Sequence, residues 1–194
     1  MKRRAIIIAI AALAMGPLIG GVSFAAIFWQ PVNSGTPLSA YFDLDTRSGY
    51  IRDWTGWTGT SWVYGHAYDG HTGTDYDGVS NDPVYNILWG TVTEVVNQSG
   101  NTYPNGPQTL GTYVKINHGS VGGYTYQSVY GHLEYQSPLV SVNDYLGTRQ
   151  RIADMDNTGY SSGDHLHLTL YRNGVKICPY DTGLMPTPVN GKVP

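Results

Sequence analysis

The segment His165-Leu166-His167-Leu168-Thr169-Leu170-Tyr171 places a leucine at every second position. Successive side chains of a β-strand point to opposite faces, so this period of two indicates a half-buried strand with its leucines in the core. The same alternation puts His165 and His167 side by side on the other face, with Cα atoms roughly 7 Å apart. One imidazole of such a pair can bind a metal ion while its neighbour faces whatever the metal holds.

Other short runs of strand-forming residues, separated by Gly, Asn and Pro clusters, predict an all-β fold of mostly antiparallel sheets. Asn173-Gly174 is typical of a two-residue hairpin turn. No long helical stripe of apolar residues follows residue 30. The runs that predict strands are Val84–Ile87, Thr91–Val96, Tyr113–Asn117, Tyr124–Tyr130, Leu139–Val142, His165–Tyr171 and Val175–Ile177.

Two further short segments carry residues suited to metal chemistry. His71 and Asp75 lie four residues apart in a glycine-rich stretch, and His132 follows Tyr130-Gly131. Glycine and the missing apolar stripe argue against a helix around His71, so we expect a loop that wraps a metal ion. Two imidazoles and one carboxylate suit Zn²⁺, and three protein ligands leave a fourth position for water, whose pKa falls towards ~7. Spacing alone leaves open which histidine of the 165/167 pair is the ligand.

A metal-bound water also needs a general base to take its proton, and the sequence offers few glutamates for that role. The chain has only Glu94 and Glu134 and lacks a His-Glu-x-x-His motif. Proton transfer therefore falls to His132 and His165, whose ordinary pKa near ~6.5 suits that role. Glu134, two residues past His132, is the alternative base. The two remaining histidines, His66 and His118, are expected to be structural or to support the ligands.

The three segments together resemble the lysostaphin-like (β-lytic) zinc endopeptidases, which cut peptide bonds in bacterial cell walls. That family has His-x-x-x-Asp, then Tyr-Gly-His-Leu, then Gly-x-His-Leu-His on a strand. This sequence has His71-Thr72-Gly73-Thr74-Asp75, Tyr130-Gly131-His132-Leu133 and Gly163-Asp164-His165-Leu166-His167 in the same order. The resemblance covers roughly residues 50–183 and implies a lysostaphin-type domain with long loops around a zinc groove.

Carried over residue by residue, the resemblance implies that His71, Asp75 and His167 bind one zinc ion per chain. It also implies that His132 and His165 are the catalytic histidines, which handle the proton of the water and the tetrahedral intermediate. The implied substrate is the stem peptide or cross-bridge of bacterial peptidoglycan.

The sequence departs from the family pattern at a few positions. Asp164 stands where proline often precedes the His-Leu-His; its carboxylate can orient His165 or raise its pKa, or it is a solvated turn residue. In residues 140–150, Asn143 and Arg149 replace glycines. Asn tolerates a left-handed turn, whereas Arg149 is harder to explain. All five site residues are present, which argues against a loss of activity.

The N-terminal segment has the features of an export signal. Three basic residues at positions 2–4 precede the apolar run Ala5–Met15, and Ser23-Phe24-Ala25 offers a cleavage site before Ala26. Alternatively residues 5–29 are retained as a membrane anchor, since they are long enough to span a bilayer. Both alternatives export the domain from the cytoplasm, where it is secreted, periplasmic or anchored on the outer side of the membrane.

These observations divide the chain into a signal peptide or N-terminal membrane anchor (1–29), a loosely structured lead-in (30–50) and a zinc metallopeptidase domain (51–194). Cleavage before Ala26 removes three basic residues and changes the formal charge from −3 to −6. A domain this acidic, without a basic cluster, is a poor partner for nucleic acid. We expect a monomer with its single cysteine, Cys178, buried as a small apolar residue.

Aromatic residues cluster just before the proposed metal loop. Tyr64 and Tyr68 are the candidate substrate-binding residues, either of which could donate a hydrogen bond to a developing oxyanion. The alternative is that this cluster, which also holds Trp54, Trp57 and Trp62, caps the sheet and joins its core.

Two other function classes remain open. A non-catalytic zinc-binding scaffold could bind the cell wall or regulate another wall hydrolase. A non-haem iron oxygenase also uses two histidines and a carboxylate. That class gives no reason for the Tyr-Gly-His-Leu motif.

Overall fold

The computed structural model describes residues 27–194 and shows twelve strands and no helix in that part of the chain. The prediction of an all-β, mostly antiparallel fold is confirmed. The strands are β1 (Leu38–Ala40), β2 (Ile51–Arg52), β3 (Thr58–Gly59), β4 (Thr74–Asp77), β5 (Pro83–Tyr85), β6 (Gly90–Val96), β7 (Thr112–Val121), β8 (Tyr124–Leu133), β9 (Tyr145–Leu146), β10 (Arg151–Asp154), β11 (His165–Arg172) and β12 (Val175–Ile177).

Eight strands form one sheet in the order β1-β4-β11-β8-β7-β6-β9, with β12 paired to β11 at residues 170–172. All of these pairings are antiparallel. The leucines of β11 are buried, as the alternation predicted, and they pack in one core with Val114, Ile116 and Tyr130 from the neighbouring strands. Burying this apolar face stabilises the sheet and fixes its register, since a one-residue slip would expose the leucines.

Some strand predictions differ from the structure. Leu139–Val142 is not a strand; it lies in a loop in which the amide of Ser141 donates to the Asp144 carboxylate and Asn143 has a positive φ of 78°. The segment from His71 to Asp75 was expected to be a metal-binding loop. His71 does lie in a loop, but Asp75 lies in β4. β4 has only four residues and little apolar alternation, and it is a strand because β1 and β11 pair with its two edges.

Residues 30–50 contain β1, which was not among the predicted strands. Leu38 and Ala40 are buried in β1, which forms one end of the main sheet. Arg149, whose φ of 61° is left-handed, donates from Nη1 to the backbone carbonyls of Gln30 and Val32 at 2.6 and 2.9 Å. These two hydrogen bonds give a reason for arginine at position 149, because its guanidinium binds the start of the described chain to the rest of the domain.

The predicted export signal and cleavage site lie in residues 1–26, outside the described residues. Within residues 27–194, no helix has the length and apolar character needed to cross a membrane. Cys178 is buried as predicted, and burial raises the pKa of its thiol to about 11.

His118 is a buried structural residue on β7. Its Nδ1 donates to the carbonyl of Trp89 at 2.9 Å, and its Nε2 pairs with Ser128 Oγ at 2.8 Å. Ser128 in turn hydrogen-bonds the hydroxyl of Tyr130, to which the amide of Ile87 donates. Burial lowers the pKa of His118 to about 4, so the ring is neutral at neutral pH.

His118 should make the fold sensitive to acid. Its unfolded pKa is about 6.5, against about 4 in the folded protein. As the pH falls, His118 is protonated in the unfolded chain at a higher pH than in the folded protein. Its contribution to the unfolding free energy is therefore fully present above pH ~6.5 and is lost as the pH falls towards ~4. We expect this group to remove about 3 kcal/mol of unfolding free energy over that range, measured by urea denaturation.

The variant His118→Gln is the control, because it keeps a polar side chain of similar size that does not titrate. Its unfolding free energy should change less than that of the wild type over the same pH range, whatever its starting value. Parallel pH profiles for the two proteins would contradict this prediction.

Candidate functional site

Three neighbouring strands bring the predicted site residues together. β11 pairs with β4 on one side, where His167 lies opposite Asp75, and with β8 on the other, where His167 lies opposite Gly131. His132 follows Gly131 directly. Because paired residues on one face lie about 5 Å apart at Cβ, this register alone places the side chains of the three strands within reach of one another.

The side chains of His71, Asp75 and His167 converge on one point. His167 Nδ1 lies 2.8 Å from Asp75 Oδ1, and His71 Nε2 lies 3.2 Å from each of these two atoms. All three residues are buried, and together they form a group that could hold a metal ion. Ligand atoms around a tetrahedral zinc ion stand roughly 3.4 Å apart, which is close to this spacing.

In His71 and His167, one ring nitrogen hydrogen-bonds a group outside the cluster, and this bond determines which nitrogen faces the cluster. His71 Nδ1 donates to the carbonyl of Tyr41 at 2.6 Å, so its Nε2 presents a lone pair to the cluster. His167 Nε2 lies 3.0 Å from Thr169 Oγ1, which can accept a hydrogen bond from Nε2–H and leave the lone pair of Nδ1 free. Two lone pairs and a carboxylate then face each other and repel unless a cation lies between them. The donor set therefore fits a divalent cation.

Electrostatics favours the deprotonated forms that bind metals. Burial alone would raise the pKa of Asp75, but the adjacent rings of His71 and His167 hold that pKa well below its ordinary value. Burial lowers the pKa of His167, although Asp75 opposes the shift. These shifts favour the ionised carboxylate of Asp75 and the neutral ring of His167.

A glycine makes room for the cluster. A Cβ atom on Gly73 would lie 2.4 Å from Cε1 and Nε2 of His167, so only glycine fits beside this ring. The glycine that argued against a helix in the sequence therefore also allows β4 and β11 to approach closely at the site.

His132 lies near the end of β8 in a left-handed conformation with φ 58°, which is rare for residues other than glycine. Its amide donates to the carbonyl of Leu110, and its own carbonyl accepts from the amide of Asp156. Its Nδ1 donates to the carbonyl of Thr158 at 2.7 Å. These three hydrogen bonds hold the strained residue in place and leave Nε2 of the ring for chemistry.

His165 faces His132, with ring centroids 4.7 Å apart. Its Nδ1 donates to the carbonyl of Gly163 at 2.9 Å and lies 3.2 Å from Ser161 Oγ, while its Nε2 is 3.8 Å from Asp75 Oδ1. Burial, reinforced by the rings of His165 and His167, lowers the pKa of His132 to about 3. His132 is therefore neutral at neutral pH.

Tyr64 and Tyr68 both line an open cavity of about 790 Å³ that reaches Asp75, His132 and His165. The ring of Tyr68 stacks on His71, with centroids 4.1 Å apart. The hydroxyl of Tyr64 donates to Asp77 Oδ2 at 2.6 Å, and burial helps to raise its pKa to about 12. Trp62 also lines the cavity, whereas the other two tryptophans of the cluster, Trp54 and Trp57, pack against the core.

Other residues singled out in the sequence lie elsewhere. Glu134 is not among the described residues that line the cavity. Asp164 accepts a hydrogen bond from the amide of Ser80 at 3.0 Å, and the His165 ring is oriented by Gly163 and Ser161. His66 pairs with Asp53 at 2.8 Å.

Sequence reasoning missed the groups that orient the four histidines. Three of them, on Tyr41, Thr158 and Gly163, are backbone carbonyls, which have no signature in a sequence. Thr169 was open to prediction, since alternation places it on the same strand face as His167.

Comparison with known proteins identifies the family. Residues 69–179, more than half of the chain, match Peptidase family M23. A protein of Haemophilus influenzae, described as an uncharacterized metalloprotease, is 35% identical over 109 residues, which are 56% of this chain and 20% of that protein. The chain thus spans about a fifth of the length of this relative.

Solved structures show the same fold. The structure of Helicobacter pylori Csd3 superposes with a TM-score of 0.54 at 20% identity, covering 84% of this chain and 34% of that one. The structure of LytU gives a TM-score of 0.51 at 23% identity and covers 78% and 86% of the two chains. The fold is thus shared at low identity, and the match over residues 69–179 contains all five site residues. The chain belongs to Peptidase family M23, the lysostaphin-like metallopeptidases that its motifs indicated.

Proposed function

We propose that this protein is an exported zinc metalloendopeptidase that hydrolyses peptide bonds in bacterial cell-wall peptidoglycan, in the stem peptide or the cross-bridge. One observation carries the proposal: a buried His-Asp-His cluster lies beside two histidines whose Nδ1 atoms are engaged and whose Nε2 atoms remain for chemistry. Membership of a metallopeptidase family supports it.

In this proposal His71 Nε2, Asp75 Oδ1 and His167 Nδ1 hold one zinc ion per chain. Imidazole and carboxylate are ligands that zinc accepts, and a catalytic zinc site keeps one position open beside three protein ligands. When bound there, zinc would act as a Lewis acid and lower the pKa of a water towards ~7.

His132 and His165 are the proposed catalytic residues. Because the carbonyls of Thr158 and Gly163 hold the Nδ1 protons, each ring offers its Nε2 lone pair to a proton. One ring can take the proton of the attacking water, and a protonated ring can donate to the oxygen of the scissile carbonyl or to the leaving amine. At neutral pH the Nε2 atom of His132 carries no proton.

The surroundings of the site suit a peptide substrate. The cavity beside the histidines is open and has exposed rings of Trp62, Tyr64 and Tyr68 in its lining. Such amphipathic rings can pack against a peptide backbone. Peptidoglycan lies outside the cytoplasmic membrane, so the proposal requires export through residues 1–29, either cleaved before Ala26 or retained as an anchor. The domain acts as a monomer in this proposal.

The zinc assignment predicts the effect of removing a ligand. The purified domain (26–194), which keeps the buried side chain of Phe28, should bind one zinc ion, and Asp75→Ala or His167→Ala should weaken binding by at least ~100-fold, since each removes one of three ligands. Competition with a chromophoric chelator measures the affinity. His66→Gln is the matched control, because His66 pairs with Asp53 instead, and it should bind zinc as the wild type does. Unchanged affinity in the ligand variants would refute the assignment.

The catalytic assignment predicts that replacing either proposed catalytic histidine lowers kcat without changing the zinc affinity. His132→Gln and His165→Gln should each lower kcat by about 10²- to 10⁴-fold and keep the zinc affinity of the wild type. Retention of kcat in either variant would remove that residue from the mechanism.

Isolated peptidoglycan tests the reaction itself. We expect incubation with the domain to create new amine and carboxyl ends, identified by mass spectrometry, that disappear with chelator and return with added zinc. Tight zinc binding without cleavage of several wall types would favour the non-catalytic scaffold instead.

A further inference from the structure

The cavity beside the site carries an excess of negative charge. Its lining includes the carboxylates of Asp77 and Asp164 in addition to Asp75, and neither lysine nor arginine occurs among its described lining residues. The other titratable groups of the lining are tyrosines and the two histidines of the proposed catalytic pair. Asp77 and Asp164 are half-buried and lie outside the cluster of His71, Asp75 and His167.

Both carboxylates flank one proposed catalytic ring. Asp77 lies directly opposite His165 in the pairing of β4 with β11, and Asp164 precedes His165 in the chain. Directly opposed residues of an antiparallel pair have Cβ atoms about 5 Å apart. A substrate residue that contacts Asp77 or Asp164 would therefore lie within one or two residues of the bond presented to His165.

Each carboxylate is held by one hydrogen bond. Asp77 Oδ2 accepts from the hydroxyl of Tyr64 at 2.6 Å, and Asp164 Oδ2 accepts from the amide of Ser80 at 3.0 Å. A carboxylate has about four acceptor positions, so both groups retain capacity for a ligand. The contacts thus position two negative charges without neutralising either of them.

Aromatic rings complete the surroundings. Trp62 and Tyr64 are 54% and 53% exposed and line the same cavity, and the faces of such rings attract cations. A smaller cavity of about 310 Å³ shares Asp77 and Gly78 with the first and adds the carboxylate of Asp82 to its lining. The acidic lining therefore continues past Asp77.

We propose that this cavity selects peptides that carry an ammonium group, on a lysine-like diamino acid or a free amino terminus, next to the bond that is cut. Asp77 and Asp164 bind the ammonium group, and Trp62 and Tyr64 pack against it and its methylene chain. The inference rests on the proposed peptidase function and specifies the substrate class of that site.

Two matched pairs of probes test the inference. Isolated peptidoglycan, untreated or with its free amines acetylated by acetic anhydride, serves as the substrate. Nα-acetyl-Gly-Gly-Lys-Gly-Gly and its Nα,Nε-diacetyl form serve as ligands for the zinc-loaded protein, so that the lysine ammonium is the one group that differs, and mass spectrometry checks that the peptides stay intact. The variants are Asp77→Asn and Asp164→Asn. Asp181→Asn is the control, because it removes the same charge at an exposed residue outside the cavity lining.

We expect the wild type to cleave the untreated wall and to bind the free lysine peptide better than the acetylated forms, by a factor of about 5 to 10. The ratio of free to acetylated substrate cleaved and the ratio of the two peptide affinities should both fall towards one in Asp77→Asn and Asp164→Asn. Both ratios should be unchanged in Asp181→Asn and should decrease with added salt. Equal cleavage of both walls, with equal or no binding of both peptides, would overturn the inference and leave the peptidase function standing. A lysine preference in binding without any cleavage would support the inference and refute the peptidase function.

Discussion

The antiparallel pairing of β11 with β4 and β8 is the constraint on which the site depends. It sets His167 opposite Asp75 and next to β8, which contains His132, and it sets His165 opposite Asp77. The buried leucines on the other face of β11 fix this register, because a shift by one residue would turn them towards the cavity. Core packing and site geometry are therefore two consequences of one alternating pattern.

Neutral acceptors orient the histidines. The carbonyls of Tyr41, Thr158 and Gly163 each accept a hydrogen bond from an Nδ1–H group, which fixes the tautomer of three rings without adding a charge. The negative charge within reach of the rings therefore comes from side chains such as Asp75. This division lets His132 stay neutral through burial while Asp75 stays ionised beside His71 and His167. Orientation and charge are supplied by different parts of the chain.

The sequence predicted which residues lie together better than it predicted the strands around them. The three motifs named five residues that the structure brings together, because each motif consists of side chains with distinctive chemistry. β4 was missed as a strand, and Leu139–Val142 was predicted to be one and is a loop. Short segments carry too few alternations to reveal their state, and their partners in the sheet decide it. Arg149 shows the same limit, since its role depends on the distant carbonyls of Gln30 and Val32.

The sequence alone determined the all-β class, the five candidate site residues and the face of β11 on which two of them lie. These follow from side-chain chemistry and a period of two, both of which are local. Only the tertiary structure decided which ring nitrogens face the cluster, why His132 adopts a left-handed backbone, and that Asp77 and Asp164 lie beside His165. Those features depend on contacts between residues far apart in the chain and on backbone carbonyls, which every residue possesses and no sequence pattern distinguishes.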